Sequence, residues 1–259
     1  IELRPTFVGI VDDSALGEDV VKKLKNHKVN TDYVMTMPGG MGTWLAVFDH
    51  NGDLAGSISQ RPNLMPILGL LEEKGDEIFA NADSVIVEVD MDKDIIKKVV
   101  ALAKQYNKKL YGVVSNMSIA VERRDFLKHF DCFICNQLEA GMLFMEDYAD
   151  KSPEELRDIL SKRVILGKIP AMIVTMGGNG AVYADVNGEK GICPPQRVRV
   201  KDTTGAGDAF CAGVASGLTY GKTLSEAVEI GSRLAASVIT SSENVCPRFL
   251  PEEFGITLD

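Results

Sequence analysis

From Asp83 onward the chain alternates between two hydrophobic periods, and that alternation limits the folds open to it more than any other feature. Ser84 to Val89 is an apolar run of strand length carrying one Glu. Asp92 then offers a helix cap, and Ile95, Ile96, Val99, Leu102 and Ala103 recur along one helical face. Leu110 to Val114 predicts a second strand, Ile119 to Phe130 a helix, and Asp131 to Cys135 a third strand. Two more strands, Ala171 to Met176 and Ala181 to Ala184, flank Gly177-Gly-Asn-Gly180. Strand and helix in repetition imply a mainly parallel sheet with helices on both faces. Ligands of such sheets bind beyond the C-terminal ends of the strands.

The segments before Asp83 are less regular. Thr6 to Val11 reads as a strand, Asp12, Asp13 and Ser14 as caps, and Leu16, Val20, Val21 and Leu24 as a helical stripe. Tyr33 to Ser59 reads as short strands: Thr43 to Asp49, a tight turn at Asn51-Gly52, and a return from Asp53 to Ser59. Ser152-Pro-Glu-Glu155 and Thr223-Leu-Ser-Glu226 are capping boxes, and Asn187-Gly188 marks another hairpin. No Pro- or Ser-rich linker or repeat divides the 259 residues, so one α/β domain with a small β lid is expected.

Composition excludes several classes. A net charge of −9 argues against a nucleic-acid surface. No apolar run has the length to cross a bilayer and the N-terminus has no signal pattern, so a soluble, cytoplasmic protein is expected. Five cysteines is an odd number, which disfavours a disulfide framework. Cys132 and Cys135 form one C-x-x-C within a strand, on opposite faces and with no second metal-binding pair nearby. His27, His50 and His129 all fall on surface-like segments.

The chemistry concentrates between Lys201 and Leu218. Arg197 to Val200 alternate like a strand, and Phe210, Val214 and Leu218 recur four apart like a buried helix face. Between them lies Thr203-Thr204-Gly205-Ala206-Gly207-Asp208. Glycines let a ligand approach the main chain, and the free amides and positive end of the next helix favour an anion such as phosphate. A carboxylate beside a bound phosphate repels it, so Asp208 needs a task, such as taking a proton from an attacking hydroxyl. The plainer alternative is a cap on a Gly-rich turn.

The full run Asp202-Thr-Thr-Gly-Ala-Gly-Asp-Ala-Phe210 resembles the C-terminal signature of the ribokinase-like (PfkB) carbohydrate and nucleoside kinases. Phe7-Val-Gly-Ile-Val-Asp-Asp-Ser-Ala-Leu-Gly17 resembles an early segment of the same family. There an earlier strand, part of a lid and a Gly-Gly-Asn-like motif come first, so the chain is expected to be N-terminally shortened.

The resemblance implies a three-layer α/β/α sandwich with a β lid over about 33–60. It implies transfer of the γ-phosphoryl group of ATP to a hydroxymethyl of a sugar or nucleoside, with Mg²⁺. Asp208 becomes the base and a substrate contact, and the amides of Gly205, Ala206 and Gly207 the anion hole. Asn136-Gln-Leu-Glu139 matches the family's Asn-x-x-Glu, with Asn136 facing phosphates and Glu139 ordering magnesium through water. The same four residues also make an ordinary helix cap.

Thr175, Gly177, Gly180, Thr204 and Ser232, with Ala235, become nucleotide candidates; hairpin geometry and helix packing would equally explain the glycines, Ser232 and Ala235. Gly39, Gly40 and Thr43 become substrate candidates, and Arg61 could reach the substrate. A monovalent cation, K⁺ in this reading, is implied near Asp202 and the 240–247 loop, and a homodimer through the lid is common among relatives. The phrases Gly42-Thr-Trp-Leu-Ala-Val-Phe-Asp-His-Asn-Gly-Asp53 and Ser242-Glu-Asn-Val-Cys-Pro247, with Glu88-Val-Asp90, lean toward pseudouridine-kinase-like members; ribose and fructose follow. The rival from another class is a non-catalytic ATP- or sugar-binding sensor. A Rossmann dinucleotide enzyme lacks its early Gly-x-Gly-x-x-Gly here.

Overall fold

The computed structural model describes residues 3–48, 54–114, 121–241, 245–247 and 249–257. The chain divides into two compact units, 2–76 and 77–259, and the helix α2 (Pro66–Ala80) runs through the division.

In the first unit, β1 (Thr6–Val11) and β2 (Asn30–Thr36) pair in parallel and are joined by α1 (Ala15–Asn26). Ser14 starts α1: its hydroxyl accepts from the amides of Leu16 at 3.2 Å and Gly17 at 3.3 Å. The predicted stripe is narrower than expected. Val20, Val21 and Leu24 are half-buried, but Leu16, in the first turn, is 70 % exposed. β3 (Thr43–Phe48) and β4 (Leu54–Gln60) form an antiparallel hairpin with Leu45 opposite Ile58. Tyr33 belongs to β2 and its parallel partner, so the hairpin begins at Thr43. The turn expected at Asn51-Gly52 lies outside the described residues.

The second unit is built on a six-stranded sheet. Its strands are β5 (Ser84–Glu88), β6 (Lys109–Val113), β7 (Cys132–Asn136), β8 (Ala171–Thr175), β9 (Ala181–Asp185) and β10 (Lys190–Cys193). They lie in the order β10-β9-β8-β7-β6-β5. β5 to β8 are parallel, and β9 and β10 return antiparallel. The helices are α3 (Lys93–Gln105), α4 (Gln137–Phe144), α5 (Pro153–Gly167), α6 (Ala206–Thr219) and α7 (Leu224–Ile239).

Side-chain alternation builds both layers. Tyr111, Cys132, Ile134, Ile173 and Tyr183 share one sheet face and pack on Phe210 and Val214 of α6 and on Ala227 and Val228 of α7. The intervening Phe133, Met172, Val174 and Val182 are buried on the other face, where α3 and α5 pack. All five stripe residues of α3 are buried. At about 1.5–3 kcal/mol for each large apolar side chain, that burial outweighs a single cap. Asp92 stands at the N-cap of α3 but makes no side-chain cap bond. α6 and α7 touch backbone to backbone: a Cβ on Gly213 would lie 2.7 Å from the Cα of Gly231. All five cysteines carry free thiols.

Two expected elements differ. Within the span 119–130, the described part is a 3₁₀ run, Val121–His129, and not an α-helix. Arg197 to Val200 is irregular and not a strand. Pro194 and Pro195 directly follow β10 and lack the N–H that would extend its ladder. The chain instead leans on α7, with the Lys201 amide donating to the Ile239 carbonyl at 2.7 Å.

Candidate active site

The parallel order decides where the site forms. Glu88, Val113, Asn136 and Thr175 are the last residues of β5, β6, β7 and β8, and all four line one cavity of about 300 Å³. Glu139 of α4 and Gly207, Asp208 and Cys211 of α6 also line it. It opens beyond the C-terminal edge of a parallel sheet, as the alternation implied.

Local chemistry sets the start of α6. Gly205 is left-handed, with φ 81° and ψ −3°. The Ala206 amide donates to the Thr203 carbonyl at 3.2 Å, closing a four-residue turn. A positive φ at the third position is the type II geometry that glycine favours. Ahead of it, an Asp202 carboxylate oxygen accepts from the Thr204 amide at 2.8 Å. The Thr204 amide and hydroxyl hold the Asp202 carboxyl below the usual range.

The turn engages one of the three amides expected to face an anion. The Ala206 amide is taken by Thr203. Gly207 and Asp208 lie in the first turn of α6, where amides have no intrahelical acceptor, and both line the cavity.

Asn136 and Glu139 form a reciprocal cap. The Asn136 side chain accepts from the Glu139 amide at 2.9 Å, and Glu139 Oε2 accepts from the Asn136 amide at 2.7 Å. The plain capping alternative is thus realised, yet both residues also line the cavity. Burial raises the Glu139 carboxyl above its ordinary range, and the Asn136 amide only partly offsets this. Cys211, three residues after Asp208 on the same helical face, has its thiol pushed up to about 12. Burial is the main cause, followed by the charges of Asp208, Glu88 and Glu139.

Other candidates lie elsewhere. Of the phrase around Gly177, only Thr175 lines the cavity. Gly177 and Gly180 have φ of 54° and 87° and serve the turn between β8 and β9. The Gly180 amide donates to the Gly177 carbonyl at 3.1 Å, and a Cβ on Gly180 would lie 2.1 Å from the Cys193 carbonyl. The Ser232 hydroxyl bonds with Cys193 of β10, and Ala235 packs on the core around α6 and α7, which fits helix packing.

Gly39, Gly40 and Thr43 belong to the first unit. The Gly40 amide donates to Met37 at 2.9 Å, and a Cβ there would meet the Val11 carbonyl at 2.5 Å. Gly39 has φ 66° with open space around it, and Thr43 opens β3 opposite Gln60. Arg61 follows β4 and is exposed. Sequence reasoning missed Val113 and Cys211. A place at a strand end and an offset of three from Asp208 were the signals available.

A mainly parallel sheet with a glycine turn, a helix start and three carboxylates around one cavity at its C-terminal edge is an α/β arrangement suited to a phosphate-bearing ligand. The description "pfkB family carbohydrate kinase" matches residues 3–246, and the chain belongs to that family. It is 35 % identical over 246 residues to the guanosine-inosine kinase of Exiguobacterium acetylicum, covering 92 % of this chain and 78 % of that one. It is 23 % identical to the pseudouridine kinase of Escherichia coli K12, covering 90 % and 74 % respectively. The structure of Arabidopsis thaliana ribokinase complexed with ribose and ATP superposes with a TM-score of 0.77 at 20 % identity, over 93 % of this chain and 79 % of that one. These findings agree with the expected ribokinase-like α/β architecture. Membership implies a phosphotransferase that uses ATP. Among the described residues, no helix is long and apolar enough to cross a membrane.

Proposed function

We propose that this chain transfers the γ-phosphoryl group of ATP to a hydroxymethyl of a nucleoside, with Asp208 as the base. One observation carries the reading: Asp208 and the first-turn amides of α6 line the same cavity as four parallel strand ends. A hydroxyl held against Asp208 gives its proton to the carboxylate as it attacks. Charge on the transferred group falls against the amides of Gly207 and Asp208, which are fixed before reaction and lie at the positive end of α6. Thr175 and Asn136, at neighbouring strand ends, supply polar contacts on the nucleotide side.

Glu139 fits a hard cation, because burial disfavours its anion and a nearby positive charge offsets that cost. Magnesium, when bound, screens the phosphate charge. Asp202 is engaged with Thr204, so a monovalent cation there would rest on carbonyl oxygens. Leu45 and Ile58 pair across the hairpin at 57 % and 70 % exposure, which supports pairing of two copies through it. Sedimentation of a Leu45→Lys variant tests that contact, with an unchanged mass counting against it.

Guanosine and inosine are the first acceptors to test, because the relative at 35 % identity carries that name. Pseudouridine stands second, favoured by the hairpin and tail phrases, with ribose and fructose after it. The deciding experiment measures acceptor-dependent ADP release with each of these. Asp208→Asn should lower kcat by ~10²–10⁴-fold while ATP still binds. Near-normal turnover would remove Asp208 as the base. Binding of ATP with no acceptor raising ADP release would favour the sensor reading.

A further inference from the structure

At the end of α6 away from Asp208, a hydroxyl cluster joins three elements. Ser84 Oγ lies 2.6 Å from Thr219 Oγ1, which donates to the Ala215 carbonyl at 2.6 Å. The Tyr111 hydroxyl also hydrogen-bonds Thr219. A threonine hydroxyl has one proton and two lone pairs. With its proton given to Ala215, Thr219 accepts from Ser84. Burial pushes the Tyr111 phenol up to about 12, and its contact with Thr219 partly offsets this.

The positions of the three partners give this cluster a consequence. Ser84 is the first residue of β5, whose last residue, Glu88, lines the cavity. Tyr111 lies in β6, whose last residue, Val113, lines it too. Thr219 ends α6, whose first turn carries Asp208. Three cavity walls are therefore joined outside the cavity, at the first residue of β5, the middle of β6 and the last residue of α6.

Resting on the phosphoryl-transfer reading, we infer that Thr219 is a positioning residue. Its bonds to Ser84 and Tyr111 fix the tilt of α6 on β5 and β6, and so the distance from Asp208 to the opposite wall. Asp208 and Thr219 are separated by about 16 Å of helix at ~1.5 Å per residue. A tilt of about 4° at the Thr219 end would move Asp208 by ~1 Å, and a displacement of that size costs ~10²-fold in rate when it spoils reactive geometry.

The experiment compares Thr219→Val, Thr219→Ser and Ser84→Ala on the full chain, reading kcat, KM for ATP and thermal midpoint. Thr219→Val keeps the shape and loses the hydroxyl. Its kcat should fall by about tenfold or more, with KM for ATP within about twofold, and Thr219→Ser should restore most of the rate. Ser84→Ala, which removes one arm, should give a smaller fall.

In an Asp208→Asn background, Thr219→Val should cost little more, because the residue acts through Asp208. A lowered midpoint with unchanged kcat in both Thr219→Val and Ser84→Ala would overturn the inference. So would a full further loss in the double variant. If Thr219→Val does not fold, Ser84→Ala decides alone. A wild-type chain that turns over no acceptor would overturn the phosphoryl-transfer reading and this inference together. An active wild type with an unaffected Thr219→Val overturns the inference only.

Discussion

α4 and α7 begin with the same local device. In each, a polar N-cap side chain accepts from the amide three residues on, and a Glu there returns a bond to the cap amide: Asn136 with Glu139, and Thr223 with Glu226. α5 repeats it with Ser152 and Glu155. The bond lengths barely differ, at 2.7 Å from the Asn136 amide to Glu139, 2.8 Å from Thr223 to Glu226 and 2.9 Å from Ser152 to Glu155. The electrostatics are opposite. Burial raises the Glu139 carboxyl above its ordinary value, whereas cap bonds lower those of exposed Glu155 and Glu226. The motif fixes the helix start in all three. Of the three, only Glu139 lines the cavity at the sheet's C-terminal edge.

The largest difference should separate Glu139→Gln from Glu226→Gln. Each glutamine keeps an oxygen for the cap and loses the charge. Turnover should fall ~10–100-fold for Glu139→Gln, the range for a group that orders a metal through its hydration shell. It should stay within about twofold for Glu226→Gln, an exposed site away from the cavity. A steady-state assay against magnesium concentration reads both, and equal losses would end the distinction.

Next in size is the cap itself. Ser152→Ala should cost ~1 kcal/mol of stability in urea unfolding and leave kcat unchanged. The smallest effect is a difference of sign in the pH dependence. Glu139 titrates above its free-chain value of 4.5, so its contribution is present below 4.5 and lost as pH rises through the folded value. Glu155 and Glu226 titrate below 4.5, so theirs are present above 4.5 and lost as pH falls through the lowered values. At pH 7, Glu139→Gln should therefore raise the thermal midpoint slightly, and Glu155→Gln should lower it. Calorimetry giving the same sign for both would refute the burial argument.

Local signals were legible: Ser14, Ser152 and Thr223 cap where their spacing says, and the α3 stripe is buried residue for residue. The signature at 202–210 located α6 and Asp208, because turn glycine, helix start and carboxylate are encoded side by side. What failed depended on partners or turn geometry that residue types do not carry. Arg197 to Val200 alternate, but among the described residues no strand pairs with them, and the next amide, that of Lys201, donates to Ile239. Asp92 has the residue type of a cap without its bond. Ala206 lies within the signature, yet Thr203 claims its amide, a matter of turn geometry that the residue names do not carry. Val113 and Cys211 enter the cavity through sheet order and helix placement, which no local window contains.

The contact between Gly213 and Gly231 leaves no soft layer between α6 and α7. With main chain against main chain, the two helices must move as a single stiff plate, and the carboxylate at the tip of α6 inherits that stiffness. An alanine at either glycine would act as a wedge, prying the plate open from inside and displacing the end that carries Asp208.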